Sequence, residues 1–100
     1  MAIWEIAQLT VGQGNEDELE SLFQSNLQIL EKADGCLDVK LSRAVDRKGT
    51  FLLLVKWQSV EHHTERFVRS DGFAKLAGVL APLLTAPPDP FHVVEVIGSF

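Results

Sequence analysis

Residues 50–57, TFLLLVKW, are the segment that most restricts the fold of this chain. They follow the glycine-ended turn DRKG (residues 46–49), and residues 36–45 before that turn alternate between apolar and polar side chains. Two strands joined by a short turn containing glycine form a β-hairpin. Because residues 51–55 are apolar without interruption, the second strand presents apolar side chains on both faces. The sequence therefore predicts a sheet that must be covered on both sides.

A strand and a helix precede this hairpin. Residues 2–11 alternate as in a strand, with Trp4 and Ile6 on the face opposite to the other apolar side chains. A helix is predicted to begin at Asn15, as its N-cap, and to be stopped by Gly35, which can adopt a left-handed conformation. Between them, leucine and phenylalanine recur at three- and four-residue spacing, which indicates one apolar stripe.

A second helix and a last strand follow the hairpin. Ser59 is predicted to cap a helix that runs to about Arg69, and residues 70–72 are predicted to kink or restart it. Residues 91–97 are predicted to form the last strand. The order β-α-β-β-α-β is that of the ferredoxin-like fold, an α+β fold with an antiparallel sheet and helices on one face. We expect one domain over residues 1–100. Because two helices cover only one face of the sheet, we also expect a homodimer packed sheet against sheet.

Charge and cysteine content argue against several classes of protein. The net charge is −5 without a block of like charges, which disfavours nucleic-acid binding and attachment to an anionic membrane surface. Cys36 is the single cysteine, so an internal disulfide and a thiolate zinc cluster are excluded and a cytoplasmic location is expected. The segment MAIWEIAQLT does not resemble a signal peptide, and the longest apolar run is too short to span a bilayer.

The adjacent histidines His62 and His63 are candidates for chemistry. Consecutive helical residues lie about 100° apart, so the two side chains cannot face one metal ion, and no metal site is predicted. His62 shares the polar side of the helix with Glu65 and Arg66 and is predicted to be solvated. His63 is predicted to face the sheet, either as a structural imidazole bonded to the backbone or as a general base.

Three other residues have both a structural and a functional interpretation. His92 opens the last strand, and it can approach His63 if that strand borders the second helix. Trp57 ends the third strand, where it either fills the core or forms a flat pocket wall with one N–H donor. Arg43 lies on the apolar face of the second strand, where it either extends to solvent or pairs with an anionic or phenolate ligand.

Residues 57–73 give a more specific indication. The pattern W-x-S-V-E-x-H-T-x-x-F-x-x-S-x-x-F resembles the antibiotic biosynthesis monooxygenase (ABM) domain family, and the likeness extends over nearly the whole chain. The resemblance implies a dimeric α/β barrel with a small pocket between helices and sheet in each subunit.

The resemblance also implies an activity. The best-understood members oxidise polyketide-type phenols and anthrones with molecular oxygen and without metal or flavin. We therefore expect a cofactor-independent monooxygenase that acts on a small aromatic, polyketide-like or quinol substrate, with the protein supplying desolvation and anion stabilisation. The predicted site consists of His63 or His92 as proton acceptor, Trp57, Phe67 and Phe73 as pocket walls, and Arg43 as partner of the anion.

Two alternatives remain from the sequence. Some relatives degrade haem, but Ala77 stands where their haem-ligating histidine is expected and Phe67 where a tryptophan is expected, so haem chemistry is disfavoured. A non-catalytic dimeric barrel that binds a small apolar metabolite is the other alternative. The distinguishing feature is whether His63 or His92 points into an enclosed cavity.

Overall fold

A computed structural model describes residues 1–99 as a four-stranded antiparallel sheet with helices packed on one face. The strands are β1 (Ile3–Thr10), β2 (Cys36–Arg43), β3 (Thr50–Trp57) and β4 (Phe91–Val93), and the α-helices are α1 (Glu16–Glu31) and α2 (Asp71–Leu80). A π-helical segment (His62–Phe67) precedes α2, and a 3₁₀ turn (Ala81–Leu83) follows it. The strand order is β2-β3-β1-β4, which confirms the predicted α+β, ferredoxin-like arrangement. The sheet of the single chain is open.

The inner face of the sheet, which the helices cover, carries the core. The β1–β3 register places Ala7 opposite Leu53, so alternate residues of both strands point inward together. The buried apolar side chains of this face are Ile3, Ala7, Leu9, Phe51, Leu53, Val55 and Trp57, and the helices contribute Leu19, Phe23, Leu30, Leu76 and Leu80. Apolar side chains also lie on the outer face, as predicted, because Ile6 pairs with Leu54 there.

The β2–β3 hairpin forms as predicted but is shorter than the alternation of the sequence indicates. A bulge between Cys36 and Asp38 shifts the register, so Leu37 does not share the face of Val39 and Leu41, as the alternation indicates, and it is 50 % exposed. The strand ends at Arg43, opposite Phe51, and the N–H of Ala44 donates one further hydrogen bond to the carbonyl of Thr50 before the turn begins. Val45, predicted to belong to the strand, is fully exposed.

The last strand is also shorter than predicted. Only Phe91–Val93 pairs with β1, whereas residues 91–97 were expected to form a strand. Because Trp4 lies opposite Val93 in an antiparallel pair, only residues 1–3 remain opposite the residues after Val93. The alternating apolar pattern therefore continues past the start of β1, where the described part of the chain offers no further partner strand.

Helix α1 begins where predicted, but the hydrogen bond at its N-terminus differs from the predicted one. α1 begins after Asn15, whose side chain makes no capping hydrogen bond, and Gly14 N–H instead donates to Glu16 Oε1 at 2.9 Å. The helix ends at Glu31, and Gly35 takes the expected positive φ of 83° in the turn that leads to β2. Within residues 1–99, no helix combines the length and the apolar character needed to cross a membrane.

Candidate active site

A half-open cavity of about 680 Å³ lies between the inner face of the sheet and the chain that runs from the π-helical segment to β4. Most of its lining is aliphatic or aromatic. The polar residues that line it are Glu5, His63, Thr64, Thr85 and His92, and three prolines, Pro87, Pro88 and Pro90, form part of its rim. An apolar cavity with a few convergent polar groups is the usual form of a small-molecule site.

The π-helical segment supplies one wall of this cavity. Ser59 Oγ accepts from the backbone N–H of His62 at 3.3 Å, which confirms the predicted cap, and the N–H of Val68 bonds to the carbonyl of His63, five residues earlier, at 3.0 Å. The segment directs His63 and Phe67 inward, and their exposed fractions are 5 % and 7 %. Ser70 then caps α2 by accepting from the N–H of Phe73 at 3.1 Å, so the chain restarts as a helix where predicted.

His62 does not reach the cavity and is only partly solvated. Its Nδ1 lies 2.7 Å from Ser59 Oγ, and its Nε2 lies 3.3 Å from Arg66 Nη1. Its ring packs over Gly35, where a Cβ atom would overlap it. The prediction of a solvated His62 is therefore wrong in part, because this half-buried ring fixes the start of the π-helical segment against the turn after α1.

The structure brings His63 and His92 together. His63 Nδ1 lies 2.8 Å from His92 Nε2, and the ring centroids are 5.1 Å apart. The contact arises because β4 pairs with β1 and places His92 opposite Glu5 on the inner face. The predicted approach of the two histidines is confirmed, and His92 lines the cavity while being half-buried.

Glu5 is the functional candidate that the sequence reasoning missed. It is 7 % exposed, and its Oε1 accepts a 2.9 Å hydrogen bond from the indole N–H of Trp57. The same oxygen lies 3.4 Å from His63 Nε2. The available signal was a charged residue on the face of β1 that otherwise carries Ile3, Ala7 and Leu9.

The predicted aromatic residues take different positions. Phe67 and Phe73 line the cavity and contact each other edge to face, with centroids 5.6 Å apart. Trp57 was predicted as a pocket wall, but it is fully buried behind the lining, where it stacks on His63 at 5.6 Å and contacts Phe67 at 5.3 Å. Trp57 therefore supports His63 and Phe67 from behind the cavity wall, because its large ring fills the space between β3 and the π-helical segment.

Arg43 is not brought to this cavity. It forms salt bridges with Asp17 and Glu20 of α1, and its guanidinium lies 5.3 Å from the ring centroid of Phe51. The strand order places β3 and β1 between β2 and β4, so Arg43 lies on the far edge of the sheet from His92. Its predicted position as partner of a bound anion is wrong for this reason.

Burial is the main cause of the shifted pKa values of His63 and Glu5. Burial, with a further contribution from the charge of His92, lowers the pKa of His63 from 6.5 to about 4. Burial raises the pKa of Glu5, and the hydrogen bond from Trp57 opposes that change. Because His63 is neutral at pH 7, its contact with Glu5 is not an ion pair there. Within residues 1–99, no cluster of three or more His, Cys, Asp or Glu side chains is arranged to hold a metal ion.

The fold and the cavity define a class of protein, small α+β domains with a ferredoxin-like sheet and an apolar cavity under their helices. Residues 2–78 match the antibiotic biosynthesis monooxygenase family, and this chain belongs to that family. The resemblance seen in residues 57–73 is thereby confirmed.

Individual relatives agree with this assignment. The uncharacterized protein YczJ of Bacillus subtilis (strain 168) is 30 % identical over 92 residues, which cover 92 % of this chain and 97 % of that protein. The crystal structure of a putative antibiotic biosynthesis monooxygenase from Bordetella bronchiseptica is 27 % identical, with a TM-score of 0.93, and the match covers 96 % of this chain and 98 % of that one. SnoaB, a cofactor-independent oxygenase from Streptomyces nogalater, shares the fold at 20 % identity, with a TM-score of 0.80 and 98 % of each chain covered.

Proposed function

We propose that this protein is a monooxygenase that oxidises a small aromatic, polyketide-like or quinol substrate with molecular oxygen and without a metal or an organic cofactor. The family supports monooxygenase activity in general. The observation that carries the finer proposal is the cluster of His63, His92 and Glu5 at one end of an apolar cavity. Such a cluster offers proton acceptors where water is largely displaced.

The reaction requires a substrate that supplies its own electrons. Loss of a proton from a phenol or enol O–H gives an anion electron-rich enough to react with oxygen. For a ring CH₂ group beside that anion, one oxygen atom enters the product as a carbonyl and the other leaves as water, so that R₂CH₂ and O₂ give R₂C=O and H₂O. The protein contributes the proton acceptor, the desolvated cavity and the orientation of the substrate.

The charge of the lining indicates what kind of substrate fits. Among the described residues, those that line the cavity include no lysine or arginine, and they include the acidic Glu5. A carboxylate or phosphate ester would therefore be desolvated without a partner, at a cost of several kcal/mol, on the order of that for any buried unpaired charge. We propose a substrate that is uncharged before reaction and places one ionisable hydroxyl at the histidine end.

A homodimer belongs to the same proposal. Ile6 and Leu54 lie on the outer face, which neither helix covers, and Leu52 and Phe91 are 38 % and 57 % exposed there. Light scattering tests this surface: twice the mass of one chain is expected for the wild type, and Leu52→Asp should weaken the dimer whereas Val45→Asp, in the β2–β3 turn, should not. A wild-type mass of one chain would refute the dimer.

One observation favours the alternative of a non-catalytic protein that binds a small apolar metabolite. His63 is 5 % exposed and its pKa is about 4, so its imidazole is a weak base at neutral pH. In that case the cavity would bind its ligand without accepting a proton from it.

Oxygen uptake distinguishes the two functions. Chelator-treated protein is mixed with a panel of anthrones, naphthols and quinols, and uptake is compared among wild type, His63→Ala and His62→Ala. Uptake that the wild type accelerates and His63→Ala does not supports the oxygenase, and His62→Ala, whose ring supports the same segment, shows how much of any loss comes from disturbing that segment. Absence of acceleration by the wild type, together with ligands that raise the melting temperature, favours the binding protein.

A further inference from the structure

Glu5 contributes a buried carboxylate to the cluster with His63 and His92, and burying that carboxylate is costly. A buried carboxylate needs partners, and within residues 1–99 the hydrogen-bond donor to Glu5 is the indole N–H of Trp57, with His63 Nε2 next at 3.4 Å. Both neighbours are themselves buried. An apolar residue on this inward position of β1 would complete the core at no such cost, which indicates that the carboxylate has a use beyond packing.

The geometry around His63 separates the roles of the two histidines. Nδ1 of His63 faces His92 Nε2 at 2.8 Å, and Nε2 of His63 faces Glu5 Oε1 at 3.4 Å. Both ring nitrogens of His63 are thus directed at protein groups, and neither is left for a substrate. His92 differs, because residues 1–99 provide no hydrogen-bond partner for its Nδ1 and the residue is half-buried in the cavity lining.

We propose that His92, His63 and Glu5 form a proton relay in which His92 meets the substrate, His63 conducts the proton, and Glu5 is the positioning residue that receives it. The proposal rests on the proposed oxygenase function for its substrate and on the two contacts of His63, with His92 and with Glu5, for its order.

The proton transfers of the relay balance without forming a charged imidazole. At rest, His63 Nε2–H points to the Glu5 carboxylate, and His92 Nε2–H donates to His63 Nδ1. When the substrate O–H bond breaks, its proton binds His92 Nδ1, the Nε2 proton of His92 passes to His63 Nδ1, and the Nε2 proton of His63 passes to Glu5. The products are the substrate anion, two neutral imidazoles and a neutral carboxylic acid. The 3.4 Å contact must shorten for the last transfer, as catalytic contacts commonly do on substrate binding.

The environment of each group agrees with this order. Burial raises the pKa of Glu5 and lowers the pKa of His63 to about 4, so the cavity favours a proton on the carboxylate over a proton on that imidazole. The other titratable group near Glu5 is Cys36 of β2, whose pKa is raised mainly by burial and in small part by the charge of Glu5. Trp57 fixes the carboxylate from β3.

The first test needs no substrate. Long-range ¹H–¹⁵N correlation spectra of labelled protein at about pH 7.5, well above the pKa of about 4 of His63, report which ring nitrogen of each histidine carries the proton. We expect His63 and His92 both protonated at Nε2, and we expect Glu5→Leu to move the proton of His63 towards Nδ1. A wild-type His63 protonated at Nδ1, or a tautomer unchanged in Glu5→Leu, would overturn the relay whether or not the protein is an oxygenase.

The second test uses oxygen uptake with a panel compound that the wild type accelerates. Glu5→Gln should lower kcat by about 100-fold with KM changed less than about threefold, and Glu5→Asp should restore part of the rate. Glu18→Gln, on the exposed side of α1, should have no effect. Unchanged kcat in Glu5→Gln, or a change confined to KM, overturns the relay, whereas a wild type inactive with every compound refutes the proposed function and leaves the spectroscopic test to decide the relay.

Discussion

Replacing Trp57 with phenylalanine removes the indole N–H that donates to Glu5 Oε1 over 2.9 Å and retains an aromatic ring beside His63. Both partners of this hydrogen bond are buried, Trp57 completely and Glu5 to 7 % exposure. The other polar neighbour of this oxygen, His63 Nε2, lies 3.4 Å away, beyond the usual length of a hydrogen bond. The variant therefore leaves a buried acceptor without its partner, which costs more than an exposed bond would.

The magnitude has two parts. A hydrogen bond to a charged group contributes about 1.5–3 kcal/mol, and the smaller ring leaves a void of a few tens of Å³ that costs about 1 kcal/mol. Trp57→Phe should thus lower the free energy of unfolding by about 2.5–4 kcal/mol at about pH 8.5, where ionised Glu5 is favoured. In a Glu5→Leu background the same change should cost only the void, so the coupling energy is about 1.5–3 kcal/mol.

The assay is urea unfolding of the wild type, both single variants and the double variant, followed by circular dichroism at one protein concentration. Because burial raises the pKa of Glu5, a larger fraction of it is protonated at about pH 5, and the coupling should decrease towards the range of about 0.5–1.5 kcal/mol for a neutral pair. A coupling below about 0.5 kcal/mol at the higher pH would refute the reasoning. So would a coupling that does not decrease at the lower pH.

His63, Gly35 and Arg43 provide three further tests. Because burial lowers the pKa of His63 from 6.5 to about 4, the unfolded chain binds a proton in this interval that the folded chain does not. The free energy of unfolding should fall by up to about 3 kcal/mol as the pH drops from 6.5 to about 4, and by less if water in the half-open cavity screens the charge. Urea titrations should show a smaller fall in His63→Gln. Equal pH dependence in the wild type and the variant would contradict this prediction. Gly35→Ala places a Cβ atom at positive φ against the ring of His62, so it should lower the free energy of unfolding by at least about 2 kcal/mol. Gly14→Ala, at φ 88° with open space around it, should lower it by about 1 kcal/mol. Equal losses of stability in thermal or urea unfolding would show that the contact with His62 does not constrain Gly35. Arg43→Gln should leave the rate of oxygen uptake at the wild-type value, and a slower rate would show that this side of the sheet takes part after all.

The elements and their order follow from the sequence, because they depend on local periodicity. Alternation predicts the strands, the three- and four-residue spacing predicts the helices, and both are properties of neighbouring residues. The same reasoning assigns His63 to the inward face of its helix, and the structure agrees. It also predicts apolar side chains on both faces of β3, and the expectation of a second copy rests on that pattern.

Strand ends and bulges cannot be predicted from local periodicity alone. A strand continues only while a partner lies beside it, and the alternation of residues 94–97 contains no information about where β1 begins. The bulge beside Leu37 likewise depends on how β2 aligns with β3. The periodicity of the sequence indicates which side chains share a face of a strand, whereas pairing with the neighbouring strand determines how long the strand is.

The site itself was decided by tertiary structure. Glu5 and Trp57 are 52 residues apart, and they meet because the β1–β3 register places them on diagonal positions of one face. His92 reaches His63 because β4 pairs at the β1 edge, and Arg43 is separated from both because β2 forms the opposite edge. The sequence alone determined which side chains point inward and the family to which the chain belongs. Strand order and register, which depend on long-range pairing, determined which of those side chains meet in one cavity.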